Sequence, residues 1–209
     1  PENGGTAGFA MASNNDAPMA MKAHVVATAF LAVDLKCARC HDSPLEDLGQ
    51  RDLFALAAML GEKPLKVPAA STVQVPPGAR KPAVSSTLKP GDVIPPTWTL
   101  DEYGPNESHA ASASKSPREQ LAGIITSAAS PRFSDVMVNR IWQRFFGSGL
   151  IEPIDHWISV EDSEHPELVR HLSAELIASG YDLKTICRLI FTSQAYQRAV
   201  RPAINGEAD

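Results

Sequence analysis

From Met19 to about Leu35, apolar residues return every three or four positions: Met21, Val25, Val26, Ala29, Phe30 and Val33. That spacing predicts an amphipathic helix, and it runs directly into Cys37-Ala38-Arg39-Cys40-His41. Pro44 breaks the loop that follows. Gln50 to Leu60 repeats the pattern, with Leu53, Leu56, Ala57 and Leu60 on one face and Gly61 just past the end. From Glu62 to Ser116 the periodicity is lost. Prolines are dense there, including Pro76-Pro77 and Pro95-Pro96. Because proline fixes φ and removes a donor, the stretch reads as an irregular bridge. Ser71–Val75 and Val93-Ile94 are short β-like runs within it, suited to a hairpin.

Helical punctuation returns at Ser116-Pro117-Arg118-Glu119, which places Ser at an N-cap, Pro at the first helical position and Glu at the capping-box position. That helix is expected to reach about Ala128. Ser130-Pro131 opens another, Arg132 to Phe146, closed by Gly147, with Phe133, Val136, Met137, Ile141 and Phe145 on its inner face and Trp142 beside them. Gly149 to Val160 is irregular. Pro166 starts a helix to Ser179 with Gly180 as its stop, and Asp182 caps a last helix through about Tyr196. The expected fold class is mainly α. It comprises a lead (1–18), a first helical unit (19–61), the Pro-rich bridge (62–116), a C-terminal helical unit (117–198) and a tail (199–209).

Composition narrows the function little. The 209 residues are 44% apolar and 21% charged, with a net charge of −5. A nucleic-acid partner is not expected without a clustered basic face, and a mildly acidic surface suits a basic redox partner. No apolar run is long enough for a membrane span. The chain starts at Pro1 without a signal peptide, which suggests a processed product or a piece of a longer precursor. Cys37, Cys40 and Cys187 do not make a disulfide framework.

The chemistry concentrates at Cys37-Ala38-Arg39-Cys40-His41. Cys-x-x-Cys-His is the attachment signature of c-type haem. Two thiols spaced by three add to the vinyl groups along one porphyrin edge, and the adjacent histidine supplies the proximal iron ligand. Structural zinc wants a fourth ligand and a second knuckle, whereas the one further thiol, Cys187, sits among Ile186, Leu189 and Ile190 as a core residue. A redox dithiol expects a βαβ setting that is missing here. A bare Cys37–Cys40 disulfide is the bland alternative.

Candidates for the sixth iron position are His24, Met59, Met137, His109, His156, His165 and His171, or an open site. His165 is carried forward as the distal candidate. Arg39 and Arg140 are candidates for haem propionates, since guanidinium binds carboxylate in a bidentate fork, against surface or helix ion pairing. Trp98, Trp142 and Trp157 are expected in the core, and Asp42, Glu46 and Asp47 in a solvated loop.

The segment FLAVDLKCARCHDSPLEDLGQRDLFALAAML resembles the cytochrome-c-like core of a large secreted protein family typical of planctomycetes and related bacteria. SPRFSDVMVNRIWQRFFGSGLIEPIDHW and HPELVRHLSAELIASGYDLKTICRLIFTSQAYQ resemble the second domain usually fused behind it. Both domains are of unknown function. The most specific pieces are Val138-Asn139-Arg140-Ile141-Trp142, Phe146-Gly147 with Gly149-Leu150, His165-Pro166-Glu167-Leu168 and Ser193-Gln194-Ala195-Tyr196-Gln197. The resemblance implies a secreted or periplasmic protein with a haem-c motif. The family often carries a second histidine two residues after the motif's own, where this chain has Ser43.

The resulting expectation is one covalent haem on Cys37 and Cys40 with His41 at iron, serving electron transfer as a carrier or as a subunit of a redox complex. The alternatives are a haem enzyme, peroxidase-like or oxidising, with an open distal site, and a structural haem subunit of a larger assembly. Thioether formation outside the cytoplasm points to a periplasmic or exported location.

Overall fold

The computed structural model describes residues 19–44, 46–71, 84–105 and 115–198. The lead, the tail and His109 lie outside them. The described chain is mainly helical, and no helix in it is long and apolar enough to cross a membrane.

Helix α1 spans Ala20–Leu31 and α2 spans Gln50–Gly61. They pack closely because alanines line the contact. Ala20, Ala23 and Ala27 on α1 and Ala55, Ala57 and Ala58 on α2 are all buried, around Phe54, Leu53 and Met59. Small side chains let the backbones approach while the large ones fill the space to either side. Helix α1 stops short of the predicted Leu35. Ala32 turns left-handed at φ 50°, and the N–H groups of Ala32 and Val33 both return to Ala27 O. The Cys37–His41 motif therefore does not continue the helix; an irregular stretch, Ala32 to Leu35, separates them. Gly61 lies inside α2, where Met19 packs against it, and Glu62 takes the left-handed stop position.

The bridge contributes one antiparallel pair, β1 (Leu65–Lys66) with β2 (Val93–Ile94), in the register Leu65↔Ile94 and Lys66↔Val93. Val93-Ile94 was legible as a strand, and the partner seen among the described residues is Leu65-Lys66. Ser71 ends a short 3-10 turn, and the residues after it lie outside the described chain.

Helix α3 (Pro117–Ile125) begins with the expected capping box: Glu119 N–H donates to Ser116 Oγ at 3.3 Å, and Ser116 N–H to Glu119 at 2.8 Å. It ends at Ile125, short of Ala128, where the Thr126 hydroxyl donates to Ala122 O. Although it follows the bridge, α3 buries Leu121, Ile124 and Ile125 in the first core. Arg118 secures it by donating to Leu60 O, a terminal carbonyl of α2, and pairing with Glu62.

The second core forms under α4 (Arg132–Phe146), α5 (Pro166–Ala178), α6 (Leu183–Thr192) and the short α7 (Gln194–Gln197). The predicted single last helix is split by Ser193, whose hydroxyl accepts from Tyr196 N–H and caps the final turn. Val136, Val138, Val169, Leu172, Leu176, Ile186 and Ile190 fill this core with Ile151 and Trp157. Ala32 is buried there too, whereas Phe133 of α4 packs on the first core. Cys187 is half-buried rather than interior.

The loop after α4 is shaped by Asn139, which is fully buried. Its amide donates to Ile151 O, and its oxygen accepts from Leu150 and Ile151 N–H. A Cβ at Gly149 would sit 2.7 Å from Ile151 O and 2.9 Å from Asn139 Oδ1, so only glycine fits there.

Candidate functional site

The Cys37–Arg39 turn is pinned to the first core by Leu35 and Ala38, both buried, while Cys37 is exposed and Cys40 half-buried. The N–H groups of Cys40 and His41 both donate to Cys37 O, at 3.0 and 3.2 Å, which holds the two cysteines on one tight turn. The thiols are not joined to each other. His41 Nδ1 lies 2.8 Å from Asp42 O. A carbonyl only accepts, so Nδ1 carries a ring proton, and in the neutral ring Nε2 is then the nitrogen with the lone pair. Metal-binding histidines are commonly oriented by such a bond on the other nitrogen.

The loop beyond His41 is more ordered than a solvated charged loop. The Asp42 carboxylate accepts from Gln50 N–H at 2.8 Å, Thr87 N–H at 3.0 Å and the Thr87 hydroxyl at 3.2 Å. A Cβ on Gly49 would fall 2.7 Å from Asp42 Oδ1, so glycine admits the carboxylate to the start of α2. Buried Gln50 donates to Ser71 O and accepts from Ser86 Oγ and Leu88 N–H. Residues 85–88 are thereby laid along the motif loop, where Asp42 N–H also donates to Ser85 O. Glu46 pairs with His156 at 2.7 Å. Of the three acidic residues, Asp47 alone is exposed as expected.

The sixth-position candidates scatter. Met59 is buried on α2 in the first core, and Met137 packs against the second. His24 faces Asp34 at 3.5 Å and the Thr28 hydroxyl at 3.3 Å. His156 has both ring nitrogens engaged. His171 is exposed on α5. His165 is exposed just before α5 and lines a recess of about 500 Å³ with Trp142, Glu164, Pro166, Glu167, Leu168 and Ala195. No motif residue borders that recess. Arg140 is committed elsewhere: it pairs with Asp155 at 2.7 Å and donates to Thr28 O at 2.9 Å. Arg39 remains half-buried within the motif turn. Trp157 is buried, and Trp98 and Trp142 are partly buried against the two cores.

The residue that most firmly joins the two cores, Arg132, was read only as a helix start. It is 8% exposed and donates to Leu31 O (2.6 Å), Ala32 O (3.4 Å), Trp157 O (2.5 Å) and Ile158 O (3.0 Å). Its guanidinium lies 3.5 Å from the centroid of a Trp157 ring and 5.0 Å from that of Tyr103. Burial lowers its pKa to about 10, so it stays charged at neutral pH. The sequence held one signal: a cation in the first turn of a helix faces the positive end of the helix dipole.

One turn along α4, Asp135 is buried and accepts the Ser173 hydroxyl of α5. Burial raises its pKa from 3.8 to about 6, against the pull of that hydrogen bond and of Arg132. A carboxyl with a raised folded pKa binds more protons when folded. Its contribution is complete below pH 3.8 and is lost as pH rises through about 6. A gap of roughly two pH units corresponds to on the order of 3 kcal/mol. Urea unfolding of wild type and Asp135→Asn should therefore diverge between about pH 4 and about pH 7.5, with wild type losing roughly 2–3 kcal/mol relative to the variant. A difference independent of pH would refute this assignment.

The donor set at the motif fits a c-type haem in chemical terms: two unpaired thiols on one turn and an imidazole with Nε2 available. Among the described residues, no three His, Cys, Asp or Glu side chains converge as a site for a metal ion.

Comparison with known families finds two matches. Residues 5–64, which include the motif, match PSCyt2, described as a protein of unknown function (DUF1549). Residues 117–209 match PSD1, described as a protein of unknown function (DUF1553). No curated protein and no solved structure matches the chain. In identity and order, the two matches are consistent with the paired-domain family that the sequence resembles, though they reach further toward both ends than the segments that carry the resemblance, and neither description supplies an activity.

Proposed function

We propose that the chain is an electron-transferring c-type haem protein, with one haem joined to Cys37 and Cys40 and ligated by His41. The observation that supports this most is the motif's arrangement: both thiols unpaired on one turn, beside an imidazole whose Nδ1 is held by Asp42 O. Each S–H would add across one vinyl C=C, forming a C–S bond and delivering its hydrogen to the neighbouring carbon, so the joining needs no oxidant. When bound, the group supplies a one-electron couple whose potential follows its axial ligands. The protein's part is to aim His41 through the Asp42 carbonyl and to keep the loop in place through the Asp42 carboxylate. Because such attachment occurs outside the cytoplasm, the reading includes a periplasmic or secreted location. A redox protein with a basic face is the expected partner, given the net charge of −5.

The test is an absorption spectrum of the purified protein, oxidised and reduced, after acid–acetone extraction and in alkaline pyridine. Haem that stays with the polypeptide and gives the c-type pyridine spectrum supports the reading. A polypeptide without haem overturns it and sends the question to metal analysis.

A further inference from the structure

Of three consecutive residues before α5, His156 and Trp157 bond directly to the N-terminal unit, and Asp155 does so through Arg140. Asp155 is held by Arg140, which also donates to Thr28 O. Trp157 N–H donates to Ala32 O at 3.3 Å. His156, between them, engages both sides of the attachment motif. Its Nδ1 lies 3.3 Å from Asp34 N, and its Nε2 lies 2.7 Å from Glu46 Oε1. An amide N–H only donates, so Nδ1 carries the lone pair and the ring proton sits on Nε2, facing a carboxylate that accepts it. One neutral tautomer satisfies both contacts.

Asp34 precedes Cys37 by three residues, and Glu46 follows His41 by five. A single imidazole thus ties together the two ends of the segment that carries both thiols and His41. Each end has its own support: Asp34 Oδ1 accepts from Lys36 N–H, and Glu46 N–H donates to Ser43 Oγ. The ring is fixed from its own side by His156 N–H donating to Pro153 O at 3.1 Å.

We propose that His156 is a positioning residue: closing the 34–46 segment at both ends fixes the direction in which His41 presents Nε2. The closure rests on the geometry alone. Its consequence at iron rests on the haem reading above.

The test uses the purified full chain with two readouts, amide hydrogen exchange and the spectrally followed entry of added imidazole at the iron. His156→Phe keeps ring volume and removes both hydrogen bonds, whereas His156→Gln keeps a donor toward Glu46. Glu46→Ala opens the closure from the other side should the phenylalanine variant fold poorly. In His156→Phe, amides of residues 34–46 should exchange about tenfold faster while those of α5 keep their protection. Imidazole should enter about tenfold more readily, the low end of the effect of removing a ligand-orienting contact. His156→Gln should lie between this variant and wild type on both readouts. Unchanged exchange over 34–46 overturns the closure. Faster exchange with unchanged imidazole entry overturns the role at iron. A preparation without haem refutes the haem reading and leaves the exchange readout to decide the closure.

Discussion

Replacing Arg132 with methionine should lower the unfolding free energy by about 3–5 kcal/mol, the usual size for breaking a buried, fully engaged charge network. The guanidinium donates to carbonyls from two separate chain segments, Leu31 and Ala32 at the end of α1, and Trp157 and Ile158 before α5. Methionine fills similar volume but donates nothing, which leaves buried carbonyl oxygens without partners. Among the described residues no carboxylate lies within ion-pair distance of Arg132, so its charge is balanced by carbonyl dipoles, by the faces of Trp157 and Tyr103 and, at longer range, by Asp135 and Asp162. Lysine is therefore a poor substitute, because one ammonium cannot fan out over carbonyls on both sides. Arg132→Lys should recover less than half of the loss. Denaturant unfolding at neutral pH measures both variants, and a loss below about 1 kcal/mol for Arg132→Met would show that the two cores do not depend on it.

On the proposed haem reading, changing Cys37 and Cys40 together to alanine should abolish haem retention through acid–acetone extraction while barely altering the fold. The two consequences separate because Cys37 is exposed and Cys40 half-buried, so removing their sulfurs costs little packing. His41→Ala acts differently. Both thioethers remain, so the pyridine spectrum should stay c-type, but the native spectrum should change with the loss of an axial nitrogen. Thermal unfolding of the cysteine variant should fall within a few degrees of that of the unloaded wild-type chain. Haem that survives extraction in the double-alanine protein would place the attachment elsewhere in the chain.

Helices that carry their own signals were legible in the sequence. Ser116-Pro117-Arg118-Glu119 encodes the start of α3 within four residues, and Gly147 and Gly180 take the left-handed positions that end α4 and close off α5. The end of α1 was hidden because no local residue causes it. The left-handed turn at Ala32 is stabilised from afar, with its carbonyl taken by Arg132 and Trp157 N–H, a hundred or more positions along the chain. Cys37, Cys40 and His41 stand out in the sequence because they form one short, local motif. Their surroundings do not: Asp42 is an ordinary loop aspartate until Thr87 and Gln50 reach it, and His156 is an isolated histidine until Asp34 and Glu46 flank it. Pairings at long sequence distance leave no periodic trace.

The crossing of α3 has a consequence for how the chain comes into being. A polypeptide delivered N-terminus first presents Cys37, Cys40 and His41 well before Leu121, Ile124 and Ile125 arrive to finish the core beneath them. During that interval the motif rides on α1 and α2 alone, with Ala32 still lacking the second core that later encloses it. Until α3 and Arg132 arrive, the cores on both sides of Ala32 stay open, so completion of the N-terminal unit waits on residues from beyond the bridge.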